Sequence, residues 1–236
     1  MRNSRDTSEH PTESRNRPGC SAVRSPHSAL FLIALLPGPL TQDPWPALDR
    51  ASAAYAAITT LTADFVQIVD NPLVGAPDTT RGRLFIERPG RFAMRFSEPP
   101  GDRLVADGRF LWLYTPSTTP NQVIRTRIPA TGGVTPNLIG QFVDRPRERY
   151  QARWVKADVA SGGPADVVAL TPLDAAAGYR EASIWVGRDG MLRRVEIVEA
   201  SGQLRVIVLH GLRSNTTIAA RELRFTPPAG SRVVDQ

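Results

Sequence analysis

Over residues 81–114 the chain reads RGRLFIERPGRFAMRFSEPPGDRLVADGRFLWLY, with apolar and polar positions alternating between breaks made of proline and glycine. Side chains alternate sides along a strand, so Leu84 and Ile86 share one face with Arg88, and Phe92, Met94 and Phe96 share one face of the next strand. Arg83, Glu87, Arg91 and Arg95 are left largely to the other faces. The breaks fall at Arg88-Pro89-Gly90, Pro99-Pro100-Gly101 and Asp107-Gly108, the last being a strong two-residue hairpin signal. Upstream, Leu48, Ala51, Tyr55 and Ile58 recur three to four apart and predict an amphipathic helix over 45–58, after which 61–70 switches to a strand pattern. Four strands are expected across 82–127. A helical segment then begins at Thr135, with Pro136 in its first turn, a break near Pro146, and a narrow apolar stripe of Leu138, Ile139 and Phe142. Further strands are expected at 150–156, 166–172, 181–186, 192–200, 204–212 and 222–226.

That makes about eleven strands and a few short helices. The connections are short, so the order is antiparallel, and the sheet is expected to curl on itself into a half-open barrel. No linker interrupts residues 42–236, which are read as a single domain following a leader at 1–41. Within the leader, residues 28–36 form a short apolar core preceded by Arg24 and followed by Pro37-Gly38-Pro39. This suits a secretory signal and is too short to span a bilayer, so export is expected. The charged region before it is long, no small-x-small cleavage site stands out between Pro37 and Gln42, and a start at Val23 would leave a compact signal. Cys20 precedes the apolar core, so the domain has no cysteine and depends on its own core for stability.

The composition, 41% hydrophobic and 22% charged, is that of a globular protein. Its basic residues are arginines except for Lys156, and acids are interleaved with them, so no clustered patch of the kind nucleic-acid binding needs is visible. Candidate catalytic chemistry is equally thin. His210 is the one histidine beyond the leader, no serine sits in a Gly-x-Ser-x-Gly setting, and metal sites built from His and Cys fail on counting. Asp107 and Asp189 precede glycines and read as turn formers. No catalytic residue, metal or cofactor is assigned. The remaining constellation is apolar: Leu84, Ile86, Phe92, Met94, Phe96, Trp112, Tyr114 and Leu138 line one concavity if the sheet curls, with Phe65 and Trp154 nearby. Such an interior is either packed by its own side chains or encloses a ligand.

Several short segments in order carry a resemblance. Leu61-Thr62-Ala63-Asp64-Phe65-Val66-Gln67, Glu87-Arg88-Pro89 followed by Phe92, Ala106-Asp107-Gly108, Leu111-Trp112-Leu113-Tyr114, Val186-Gly187-Arg188-Asp189-Gly190 and Phe225-Thr226-Pro227-Pro228-Ala229-Gly230 are similar to motifs of the LolA family of periplasmic lipoprotein carriers. The resemblance spans about residues 45–236. It implies a half-open antiparallel barrel with a helical lid over a hydrophobic cavity that holds the acyl chains of lipoproteins. It also implies a non-enzymatic periplasmic monomer, loaded by an inner-membrane ATP-driven extraction complex and unloaded to an outer-membrane lipoprotein acceptor. Arg88 matches the family arginine that faces the cavity and holds the lid, and is expected to bond the segment from Pro136 to Phe142. A carrier of another lipid or glycolipid, a periplasmic lipoprotein sensor and a lipid hydrolase remain as rival readings.

Overall fold

Twelve strands hydrogen-bonded into one sheet dominate the computed structural model, which describes residues 42–73, 75–129 and 139–236. Helix α1 (Trp45–Ala56) leads into β1 (Thr60–Asp70) and a first meander of β2 (Asp78–Glu87), β3 (Arg91–Glu98), β4 (Arg103–Ala106), β5 (Phe110–Tyr114) and β6 (Gln122–Arg127). Two single-turn helices, α2 (Gly140–Val143) and α3 (Pro146–Arg149), precede a second meander of β7 (Tyr150–Ala160), β8 (Gly163–Pro172), β9 (Tyr179–Gly187), β10 (Leu192–Glu199) and β11 (Leu204–Ser214). The chain ends in β12 (Arg232–Asp235). The order across the sheet is β12-β6-β5-β4-β3-β2-β1-β11-β10-β9-β8-β7, so the two meanders meet at β1 and β11, and the sheet is left unclosed between β12 and β7. Every pairing is antiparallel except β12 with β6.

The period-two pattern dictates which face is buried. Leu84 sits between Ala63 and Met94 across β1, β2 and β3, and Ile86 sits between Leu61 and Phe92. In the second meander Ile207, Val195, Ile184 and Val168 form a continuous row from β11 to β8. These residues join α1 and α2 in one apolar cluster, to which α1 contributes Ala47, Leu48, Ala51 and Tyr55. Gly82 is required here by space. A Cβ at this position would meet the main-chain oxygen of Arg95 and come within 2.8 Å of Phe65 Cζ. Its absence lets the Phe65 ring reach the edge of Phe96, with centroids 5.2 Å apart.

Three sequence expectations change. Five strands, β2 to β6, occupy the region where four were expected. Residues 222–226 do not form a strand: Ala220–Leu223 is a 3₁₀ turn that presses Leu223 onto Ala93 and Val105 on the outer face of the sheet. The twelfth strand lies beyond it, where Arg125 on β6 makes a bidentate pair with Asp235 at 2.6 and 2.8 Å. Thr135, Pro136 and Leu138 lie outside the described residues, and among the described residues of the expected segment the helical structure is α2 and α3.

The hairpin at Asp107-Gly108 makes a pH-sensitive contribution. The Asp107 carboxylate accepts from the Arg109 and Phe110 amides, each at 2.8 Å, and from Trp112 Nε1 at 2.7 Å. Burial works to raise its pKa, but the hydrogen bonds from Phe110, Trp112 and Arg109 together outweigh burial and hold it below the ordinary value. A carboxyl whose pKa is depressed on folding stabilises the fold above its unfolded pKa, and that stabilisation is lost as pH falls through the folded pKa. Asp107→Asn is therefore expected to be less stable than the unaltered protein at pH 7, with the gap narrowing below pH ~4, where the unfolded carboxyl titrates. Urea unfolding of both proteins across that range checks this; a gap independent of pH refutes it.

Candidate functional site

The apolar inner face and the helices lying on it form the one extended feature that the sequence motifs converge on. Phe65, Leu84, Ile86, Phe92 and Met94 are buried there and Phe96 is half-buried beside them, all within the cluster that includes Ile139 and Phe142. Trp154 lies on the same face at the other side of the sheet. It is the cross-strand neighbour of Val168 and so extends the row of Ile207, Val195, Ile184 and Val168 onto the edge strand β7.

Trp112 and Tyr114 are placed elsewhere, which corrects the expected lining. On β5 they share a face with Phe110, while Leu111 and Leu113 turn inward beside Ala106 and Leu104. Trp112 and Tyr114 instead pack on Phe225, each with a centroid distance of 5.7 Å, under the chain segment that crosses the outer face. Arg95 anchors that segment through an ion pair with Glu222 at 2.9 Å.

Arg88 follows directly on β2, as expected, but its described partners are carbonyls at and just beyond the end of α1. Its Nη1 donates to the carbonyl oxygens of Tyr55 at 2.8 Å, Ala56 at 3.1 Å and Ile58 at 3.4 Å, and its guanidinium lies 4.8 Å from the centre of the Tyr55 ring. The physical reason is general: the last carbonyls of a helix lack intrahelical partners and carry its negative dipole end, which a guanidinium satisfies on both counts. Two further arginines, which the sequence pattern did not single out, hold the same helix. Arg50 on α1 donates to Asp166 at 2.7 Å and to the Gly187 carbonyl at 3.2 Å. Arg147 on α3 pairs with Asp49 at 2.7 Å and lies 4.3 Å from the Trp45 ring centre. Gly190 in the β9–β10 turn lets that hairpin touch α1 directly, since a Cβ there would fall 2.6 Å from the Arg50 oxygen.

Helix α2 is held from the opposite side. Tyr150 donates its hydroxyl proton to the Gln141 carbonyl at 2.8 Å, and its oxygen stands 2.8 Å from that of Tyr179. Phe142 packs on both rings, at 6.4 and 6.1 Å. Burial first, and then the contact with Tyr150, raise the Tyr179 phenol well above its ordinary value. Tyr150 shares the alternation of Ala152 and Trp154, but Tyr179 is out of phase with Ala182, Ile184 and Val186 and reaches the inner face through the irregularity opposite Val198 and Glu199, which alternation alone does not show.

Between α1, α2 and the sheet a cavity of about 10 Å³ is lined by Tyr55, Ile58, Leu61, Ile139, Val143 and Leu212. That is room for about one water, far below the several hundred Å³ of a typical ligand pocket. Among the described residues the space beneath α1 and α2 is therefore filled by side chains, and a chain-like ligand enters there only if α1 or α2 moves. Charged chemistry is peripheral: His210 is exposed, and Asp64 is an exposed partner of Arg83 at 3.7 Å. Among the described residues no helix is long and apolar enough to cross a membrane.

Comparison with known proteins gives a consistent answer. The LolA family, described as outer membrane lipoprotein carrier protein LolA, matches residues 56–226. The chain is similar to the outer-membrane lipoprotein carrier protein of Pectobacterium carotovorum, at 29% identity over 76% of this chain and 83% of the relative. It is also similar to the protein of that name from Bordetella avium, at 26% identity over 88% and 95%. Among solved structures, an uncharacterized conserved protein from Thermus thermophilus superimposes with a TM-score of 0.53 at 14% identity, covering 83% of this chain and all of that one.

Proposed function

Since the chain belongs to the LolA family of outer membrane lipoprotein carrier proteins, we propose that it binds the acyl chains of lipoproteins on its inner face and carries lipoproteins from the inner to the outer membrane. On this reading it works in the periplasm as a monomer, receives cargo from an ATP-driven inner-membrane extraction complex and yields it to an outer-membrane acceptor. Residues 1–41 are its export leader.

The observation that carries the reading is the way the apolar face is covered. A face built from Phe65, Leu84, Ile86, Phe92, Met94 and Phe96 is closed by helices held through a few polar contacts at their ends, instead of by a further sheet. Exposing a sixteen-carbon chain to water costs on the order of 12 kcal/mol, at about 0.8 kcal/mol per methylene. Unassisted crossing of an aqueous space is therefore negligible, and a shielding face removes that obstacle. The closed state in turn competes with cargo and lowers its affinity, which favours release.

Native mass spectrometry with lipid extraction on protein isolated from the periplasm tests this. Acylated lipoprotein bound one to one is the expected result; a free lipid or glycolipid would move the reading to a carrier for a different export route, and an empty protein would leave the inner face as a plain core. Phe96→Glu places a charge on the half-buried part of the face. It is expected to fold, judged by its circular dichroism, and to reduce bound lipid at least tenfold, since a carboxylate is poorly tolerated against a hydrocarbon chain. Undiminished lipid in this variant would put Phe96 outside the binding face.

A further inference from the structure

The inner face of β7 carries two hydrogen-bond donors, one without an acceptor and one whose acceptor belongs to the helix that covers it. Trp154 Nε1 is enclosed and finds no acceptor among the described residues. Tyr150, four residues earlier on the same face of the strand, spends its hydroxyl proton on the carbonyl of Gln141, a main-chain group of the short helix α2. A buried donor without an acceptor is destabilising and rare in native proteins, and its persistence points to a partner present in another state. If α2 moves to admit a ligand, Tyr150 loses its acceptor as well. The open form then presents two donors on one strand face, carried by long side chains whose Cα positions lie about 13 Å apart at roughly 3.3 Å per residue, on an otherwise apolar wall.

Their position suits one part of an acylated ligand. Strand β7 is an edge of the sheet and Tyr150, buried beneath α2, is its first residue, so a group bound there once α2 has moved lies at the border of the inner face. Hydrocarbon has no acceptor to offer either donor. The ester carbonyls that join acyl chains to glycerol do, and they lie at the junction between the chains and the polar head. Tyr179, 2.8 Å from the Tyr150 oxygen and protonated because its phenol is pushed above the ordinary range, supports Tyr150 as a donor at any physiological pH.

We propose that the Trp154 indole N–H and the Tyr150 hydroxyl bind the ester carbonyls of a glycerol-linked diacyl group, so that the site recognises the ester junction and not only the length of the chains. This rests on the carrier reading and adds a specificity to it.

The test compares two lipids of equal chain length, dipalmitoylglycerol and its diether analogue dihexadecylglycerol, each titrated against the full protein by displacement of a fluorescent fatty-acid probe. The diether keeps the hydrocarbon and removes both carbonyls. A neutral hydrogen bond is worth about fivefold in affinity, so with two of them the unaltered protein is expected to prefer the diester by roughly 25-fold. Trp154→Phe and Tyr150→Phe should each lower that preference about fivefold, and the double variant should bind both lipids alike. Tyr150→Phe also loosens α2, so affinity for both lipids should rise together; only the ratio reports the carbonyl contact. Equal binding of diester and diether by the unaltered protein, or a preference that survives in both single variants, overturns the proposal while leaving the carrier reading in place. Failure to bind either lipid overturns both.

Discussion

Replacing Arg88 with leucine is expected to slow the transfer of bound cargo by about 10–100-fold. The guanidinium satisfies carbonyls of Tyr55, Ala56 and Ile58 where α1 ends, and it makes these contacts only while α1 lies on the sheet. Hydrogen bonds to a charged donor contribute about 1.5–3 kcal/mol each in protected sites. Arg88 is an exposed residue, so solvent screening brings the whole set down to roughly 1.5–3 kcal/mol. At 1.4 kcal/mol per decade, that is a 10–100-fold shift from the closed state toward the open one. Cargo competes with the closed state, so weakening that state raises affinity and delays release. Arg88→Lys should fall between the two proteins, because an ammonium supplies the charge but not the planar fork of donors. The rate at which a fluorescent acylated peptide leaves the protein for acceptor vesicles measures this. An unchanged rate in Arg88→Leu would mean that the arginine does not hold a functional lid.

The second large effect is on stability. Gly82→Val is expected to cost at least about 3 kcal/mol, because the new Cβ meets a main-chain oxygen of β3, which cannot give way without breaking the β2–β3 ladder, and the Phe65 ring on the other side. For a domain of this size that lowers the melting temperature by roughly 6–12 °C. Gly90, in the neighbouring turn, has no atom within 4 Å of its notional Cβ, and Gly90→Ala should stay within about 0.5 kcal/mol of the unaltered protein. Thermal unfolding of the pair separates a true close approach from a general need for glycine; equal midpoints would show that β2 and β3 can part without loss.

The strands and α1 are legible in the sequence because each carries a dominant period: Leu84 and Ile86 are bracketed by Arg83 and Glu87, and Phe92 and Met94 by Arg91 and Arg95, although Phe85 and Ala93 between them are apolar and serve the outer face. Strand β5 is different. In Phe110-Leu111-Trp112-Leu113-Tyr114 both faces are apolar, so alternation separates the aromatic residues from the leucines without saying which set turns inward. The choice is made by Leu223 and Phe225, more than a hundred residues later, which cover the aromatic face from outside. Residues 222–226 look like a strand for the same reason: their hydrophobicity serves a surface that only the folded sheet creates. Arg88 was identifiable, but the carbonyls it serves were not, since any helix end offers the same acceptors. The pairs that pin α1, Arg50 with Asp166 and Arg147 with Asp49, join residues about a hundred positions apart and have no local signature.

The placement of β1 bears on how the molecule is assembled. One of its flanks is occupied by β2, the next strand in the chain, but the other waits for Leu204–Ser214 near the far end. In a chain that emerges amino end first, the first meander must exist for a time with a bare edge of eleven residues, Thr60–Asp70, at what will become the middle of the sheet. Pairings of such long sequence separation form slowly and leave strand edges open to other chains in the interval. The seam between β1 and β11 is therefore where a partly made molecule is most exposed to aggregation, and where a general folding helper that masks strand edges would have the largest effect on yield.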